Sequence, residues 1–198
     1  MSFISTTARK KMLTIAGLIW FGYVIVHMLS LLNFHFGATA FNGFYDWFNN
    51  SPVYWLVLLT LVVALSFHVF IAVLRQLNNN TALGVSKYRR HYPKAIPRFV
   101  AWSGASMLLA FIIFHFVQMQ LLEGSDRYQQ MLDIFSQPSM LIVYALGLMA
   151  LGAHLHHALS NVLQTLGVSS KTYHLLVILV VLLIVVGLVS IPVSIMYA

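Results

Sequence analysis

The sequence predicts an all-α integral membrane protein, a bundle of five transmembrane helices. Three observations lead there. Of the 198 residues, 60% are hydrophobic and only 8% are Asp, Glu, Lys or Arg. An ordinary soluble domain carries about 25% charged and 45–50% apolar residues. Five stretches reach the roughly 20 mostly apolar residues that a bilayer crossing requires. The residues between them are too few for a second domain, so residues 1–198 are expected to form one unit. Finally, the few charges fall on alternate sides of those stretches, which is how loops of a multi-pass protein are charged.

The first span is expected at about 12–34, behind Arg9, Lys10 and Lys11. It is too long for a signal peptide and lacks a small-x-small cleavage site, so it is expected to be retained. Residues Asn33–Ser51 hold Phe34, Phe36, Phe41, Phe44, Tyr45, Trp47 and Phe48. Aromatic rings settle at headgroup level, and this loop therefore predicts a short interfacial helix. The second span is expected at 52–76, with Asn78, Asn79 and Asn80 as its stop signal. A long connection containing Pro93 and Pro97 precedes the third span at 99–122. Glu123–Pro138 is a second outer loop, with an amphipathic turn or two around Tyr128–Phe135. The fourth span, 139–165, is expected to end with Gly167 as a C-cap, and the fifth runs over 173–197. None of the five contains Asp, Glu or Lys. Arg75 sits at a helix end, where its stem can snorkel.

Orientation follows from the basic residues. Segments on the N-terminal side hold Arg9, Lys10, Lys11, Arg75, Lys87, Arg89, Arg90, Lys94, Arg98 and Lys171. The opposite segments hold Arg127 and all four acids, Asp46, Glu123, Asp126 and Asp133. The positive-inside rule then puts the N-terminus in the cytoplasm and the C-terminus outside. The basic connection serves as a topology determinant and a possible docking surface for partners. Membrane lipid is an expected partner and nucleic acid is not. With no cysteine in the chain, disulfides, thiolate zinc sites and Cys-ligated iron–sulfur clusters are excluded.

Nine histidines stand against only fifteen formally charged side chains. His35, His91 and His174 fall in loops or at helix ends, while His27, His68, His115 and His154 lie one to each of the first four spans. Ionisable residues inside a bilayer are costly and face partners within the bundle. His27 lies 16 residues after Lys11, and His115 lies 17 after Arg98, both on outward-running helices. At 1.5 Å per residue each is roughly 24–26 Å from the cytoplasmic boundary. His68 lies 16 residues after Pro52 and His154 lies 16 after Pro138, both on inward-running helices. Each is therefore roughly 24 Å from the outer boundary. In a core about 30 Å thick, His27 meets His115 in an outer tier and His68 meets His154 in an inner tier.

Two imidazoles per tier match the two axial positions of a haem, which brings its own four equatorial nitrogens. A structural zinc needs four ligands at one level. Membrane di-iron enzymes need more clustered histidines than the His154-x-His156-His157 group supplies. Two haems b are therefore the expected cofactors. Gly22, Gly104, Ala64, Gly147 and Gly152 are candidates to widen the flat apolar slots. A set of hydrogen-bonding histidines in a non-redox transporter is the competing reading.

These residues resemble a known family, the di-haem cytochrome b subunit (type B) of succinate:quinone oxidoreductases, which includes quinol:fumarate reductases. The likeness spans the chain and rests on Val26-His27-Met28-Leu29, Phe67-His68-Val69-Phe70, Phe114-His115-Phe116 and the run from His154 through His157 and Ser160 to Gly167. The family's fourth helix typically reads His-x-x-His-Gly-x-x-Ser and then Thr-x-Gly. Ala158 stands here where that Gly is frequent, and Asn161 follows Ser160, which blurs any contact assigned to Ser160. The resemblance implies that His154 is a ligand and that His157 is not. It also implies a prokaryotic cytoplasmic (inner) membrane location. The implied partners are a flavoprotein (FAD) subunit and an iron–sulfur subunit on the cytoplasmic face. Succinate and fumarate would interconvert on the flavoprotein, and electrons would reach a quinone, most often menaquinone. Cytochrome b anchors of nitrate reductase, hydrogenase or formate dehydrogenase are the nearest alternative family.

Weaker candidates complete the sequence reading. Arg75, His157 and Lys171 are available on the cytoplasmic side to pair with haem propionates. Asn33, His35, Asp46 and Trp47 outside, with Ser160 and Gln164 inside, are candidate quinone contacts, because a quinone needs a donor at each carbonyl and a proton source.

Overall fold

A computed structural model describes residues 6–81, 98–122, 124–165 and 171–197. Every regular element among them is helical. Helix α1 (Thr6–Leu31) runs into a 3-10 turn, Leu32–Phe36. Gly37, at φ +89°, breaks that turn and starts α2 (Ala38–Asn49). A residue with a Cβ is strained at that angle, so the glycine permits the reversal. Then follow α3 (Pro52–Thr81), α4 (Arg98–Leu121), α5 (Arg127–Phe135), α6 (Pro138–Thr165) and α7 (Lys171–Met196). Five of these, α1, α3, α4, α6 and α7, are long and apolar enough to cross a membrane. The short helices α2 and α5 sit in the two loops where an interfacial helix and amphipathic turns were expected.

The Asn78–Asn80 run does not stop α3, which continues to Thr81. Asparagine weakens a helix interior by less than about 1 kcal/mol per residue, too little to unwind a helix already nucleated over several turns. The expected cap at Gly167 lies outside the described residues.

Packing explains where the interior lies. Helix α1 packs along α3 and α7, α7 along α6, and α6 along α4. The order of neighbours is thus α3–α1–α7–α6–α4, an arc with α7 at its back. Facing helices α1 and α4, and likewise α3 and α6, are not among the closely packed pairs. Leu155, Tyr173, Val177, Val181 and Ile184 form one buried cluster along α6 and α7, with Phe21, Val24 and Ile25 of α1 against it. A second cluster, at the end of the bundle that carries the two short helices, joins Phe34, Phe41, Met131, Ile134, Phe135, Tyr144 and Ile191. There the two short helices close over the arc. Large apolar side chains such as Trp55, Leu56, Leu183 and Val186 point outward and are more than 60% exposed, as lipid-facing residues are.

Small residues set the closest approaches. A Cβ at Gly187 would overlap Met28 Sδ, and Met28 is buried there between α1 and α7. The α6 glycines expected to widen slots are instead filled: Gly147 lies against the Phe111 ring and Gly152 against Val185 and Val181. Helix–helix packing in a membrane relies on dispersion at such close contacts, so these glycines act as packing sites. Gly22 and Gly104 do border open space, with no atom within 4 Å of an added Cβ.

Candidate metal centres

His27 and His115 face each other across the space between α1 and α4, with ring centroids 5.9 Å apart and planes at 64°. Each ring rests on an aromatic one helical turn earlier, where positions i and i+4 share a face. Tyr23 stacks on His27 at 5.4 Å and 12°, and Phe111 stacks on His115 at 5.9 Å and 20°. Phe111 is seated by Gly147, so α6 indirectly supports a histidine of α4. His115 Nδ1 lies 3.1 Å from the Tyr144 hydroxyl, which donates to Gln118 Oε1 at 2.7 Å.

His68 and His154 form the second pair, with centroids 6.3 Å apart and planes at 65°. One turn before them stand alanines, Ala64 and Ala150, both buried. The edge of His68 meets Gly17, where an added Cβ would lie 3.5 Å from Cε1. His68 Nδ1 is buried and makes no hydrogen bond of good geometry, although the Leu13 backbone lies beside it. Ser160 Oγ, six residues after His154, is likewise buried without a hydrogen-bond partner among the described residues.

These separations can be compared with a metal's demands. An imidazole nitrogen binds a transition metal at about 2.0–2.1 Å, and the ring centroid lies about 1.1 Å behind it. Two imidazoles on opposite sides of one metal therefore have centroids roughly 6.3 Å apart. The inner pair stands at that distance, and the outer pair is a few tenths of an ångström closer. Among the described residues no third His, Cys, Asp or Glu joins either pair. Two donors fit a metal that carries its other ligands with it, and they do not fit zinc, which takes three or four from the protein.

The weaker candidates are distributed differently. His35 Nε2 lies 2.8 Å from Ser190 Oγ, which donates to the Gly187 carbonyl, so His35 ties the outer turn to α7. Asn33 caps its own turn by donating to the Ser30 carbonyl. Asp46 and Trp47 are exposed on α2. Among the described residues these four make no hydrogen bond or ring contact with one another. His157 pairs with Asn161 at 3.0 Å. The side chains of Arg75, Gln164 and Lys171 lie outside the described residues.

Several participants were not singled out from the sequence. Tyr45, between Ser30 at 3.3 Å and Phe41, has its phenol pushed up to about 12 by burial, against the opposing bond to Ser30. Asn42 links the two outer helices: its amide donates to Asp126 and its oxygen accepts from the Tyr128 backbone. An aromatic four residues before a membrane histidine was the available signal for Tyr23 and Phe111. Nothing in the sequence pointed to Gly17, Tyr144 or Gln118, whose roles depend on register between helices.

Comparison with family models, curated proteins and solved structures finds no match to this chain.

Proposed function

We propose that this chain is the membrane-anchor cytochrome b subunit of a succinate dehydrogenase/fumarate reductase complex in a prokaryotic cytoplasmic membrane. The observation that carries the reading is the pair of facing histidine couples, at separations of 5.9 and 6.3 Å, between helices that are not among the closely packed pairs. In this reading His27 and His115 hold the outer haem b, and His68 and His154 hold the inner one. When bound, the two haems supply one-electron redox chemistry between a partner subunit and membrane quinone. The chain's own contribution is to set two imidazoles at each level and to exclude water with apolar helices. It also supports the outer rings on Tyr23 and Phe111. The enzyme identity belongs to the complex, with the dicarboxylate chemistry on a flavoprotein partner.

The choice of complex rests on the one-histidine-per-helix pattern and its resemblance to the type B family. A different redox anchor would share the histidine pairs and differ in its partners. Reduced-minus-oxidised visible spectra of the purified complex, with succinate as reductant, test both levels. A low-spin haem b alpha band that appears on adding succinate is the expected result. A band formed with dithionite but not succinate would reject the succinate assignment, and no band at all would reject the haem reading.

A further inference from the structure

We infer that Tyr144 and Gln118 are positioning residues for His115, fixing the tautomer that carries its proton on Nδ1 and leaving Nε2 bare. The inference rests on the haem reading for its purpose, but its geometry stands in the chain itself. A tyrosine hydroxyl has one proton to donate. The Tyr144 oxygen lies 2.7 Å from Gln118 Oε1, an atom that only accepts, so the proton is directed there. The amide is held in that orientation by its other end, which points at Met140 Sδ at 3.5 Å. With its proton committed, the Tyr144 oxygen can only accept from His115 Nδ1, 3.1 Å away. That nitrogen therefore bears the hydrogen, and Nε2 keeps its lone pair for a metal.

The surroundings hold this arrangement in place. Tyr144 is buried in the outer cluster and packs edge-on against Phe111, His115 and Phe135. Its ring thus has little freedom to swing the hydroxyl away. At the inner tier, among the described residues, His68 Nδ1 has the Leu13 backbone beside it and no tyrosine acceptor. An acceptor on the distal N–H makes a ligating imidazole more basic and fixes its plane. Removing that acceptor should make the attached metal easier to reduce at one tier only.

Two measurements on the full-length protein test this. In the intact complex, Tyr144→Phe is expected to shift the midpoint potential of one haem b component to more positive values, leaving the other in place. Tyr23→Leu is the packing control, because it alters the face of His27 in the same pair without touching His115 Nδ1 or Tyr144. A shift of both components, of neither, or an equal shift in Tyr23→Leu would overturn the inference. Ring-nitrogen NMR of the full chain in lipid nanodiscs, without added haem, gives an independent readout. His115 is expected as the single Nδ1–H tautomer, becoming a mixture in Tyr144→Phe and in Gln118→Leu. A wild-type mixture, or the Nε2–H form, would also overturn it. Absence of haem b from the complex would reject the haem reading while the NMR result still decided the tautomer.

Discussion

His27 and His115 reach each other across a space their backbones leave open, and so do His68 and His154. If each couple holds one haem, loss of either member should remove the same centre. His68→Ala and His154→Ala are therefore expected to lose one common haem b component, and His27→Ala and His115→Ala the other, as read by redox-resolved visible spectra. Depletion of a common centre by His27→Ala and His68→Ala would break the pairing. Gly147 offers a subtler test. A Cβ there would overlap the Phe111 ring, which stacks on His115. Overpacking a filled site costs about 1–3 kcal/mol, so Gly147→Ala should lower thermal stability and disturb the outer component alone. The pairing of the four rings was legible from residue counts, because depth along a helix needs only its rise per residue. The residues that support the rings were less so. Which side chain of α6 meets which of α4 depends on helix rotation, and a uniformly apolar span leaves that unmarked.

Among elements, the long helices were written plainly in apolar runs, and both loop helices were expected where they occur. Their mutual tether was not. Asn42 of α2 donates to Asp126 at 2.9 Å and accepts from the Tyr128 backbone at 2.8 Å, while Asp126 caps α5 by accepting from the Gln129 backbone. An asparagine in an aromatic loop carries no pattern that names a partner 84 positions away. Asn42→Ala removes two hydrogen bonds, each contributing about 0.5–1.5 kcal/mol. The expected outcome is faster amide exchange in Arg127–Phe135 with α6 and α7 unaffected, measured by hydrogen-exchange mass spectrometry. The same cap responds to pH. Bonds from the Gln129 backbone and the Asn42 amide hold the Asp126 carboxyl below its ordinary 3.8. The charged form is thus favoured by the fold, and its contribution is complete above that ordinary value. It should fade as pH falls from near 3.8 through the lower folded value, so α5 exchange should rise in acid in the wild type. Asn42→Ala should bring the folded value closer to 3.8 and so make the acid-dependent part of that rise smaller.

For the whole molecule, the arc α3–α1–α7–α6–α4 and the charge asymmetry answer different questions. The arc creates an interior: α7 closes its back, and the facing helices stand apart where the histidines meet. Such a cleft could not be foreseen from sequence, since five uniformly apolar helices can close into a compact bundle as readily as into an arc. The charges are the basis for proposing which end of that interior faces the cytoplasm. Ten basic residues lie on the N-terminal side and one on the other, and the proposed orientation follows from that imbalance. Because the chain has no cysteine, single cysteines can be placed without a background signal. Ser125 is exposed in the loop before α5, on the side assigned to the exterior, whereas Ser86 lies in the basic connection between α3 and α4. A membrane-impermeant maleimide applied to intact cells should label Ser125→Cys and spare Ser86→Cys until the membrane is permeabilised. The reverse pattern would invert the molecule and place the His68–His154 couple outermost. Partner subunits would then have to deliver electrons from the opposite face.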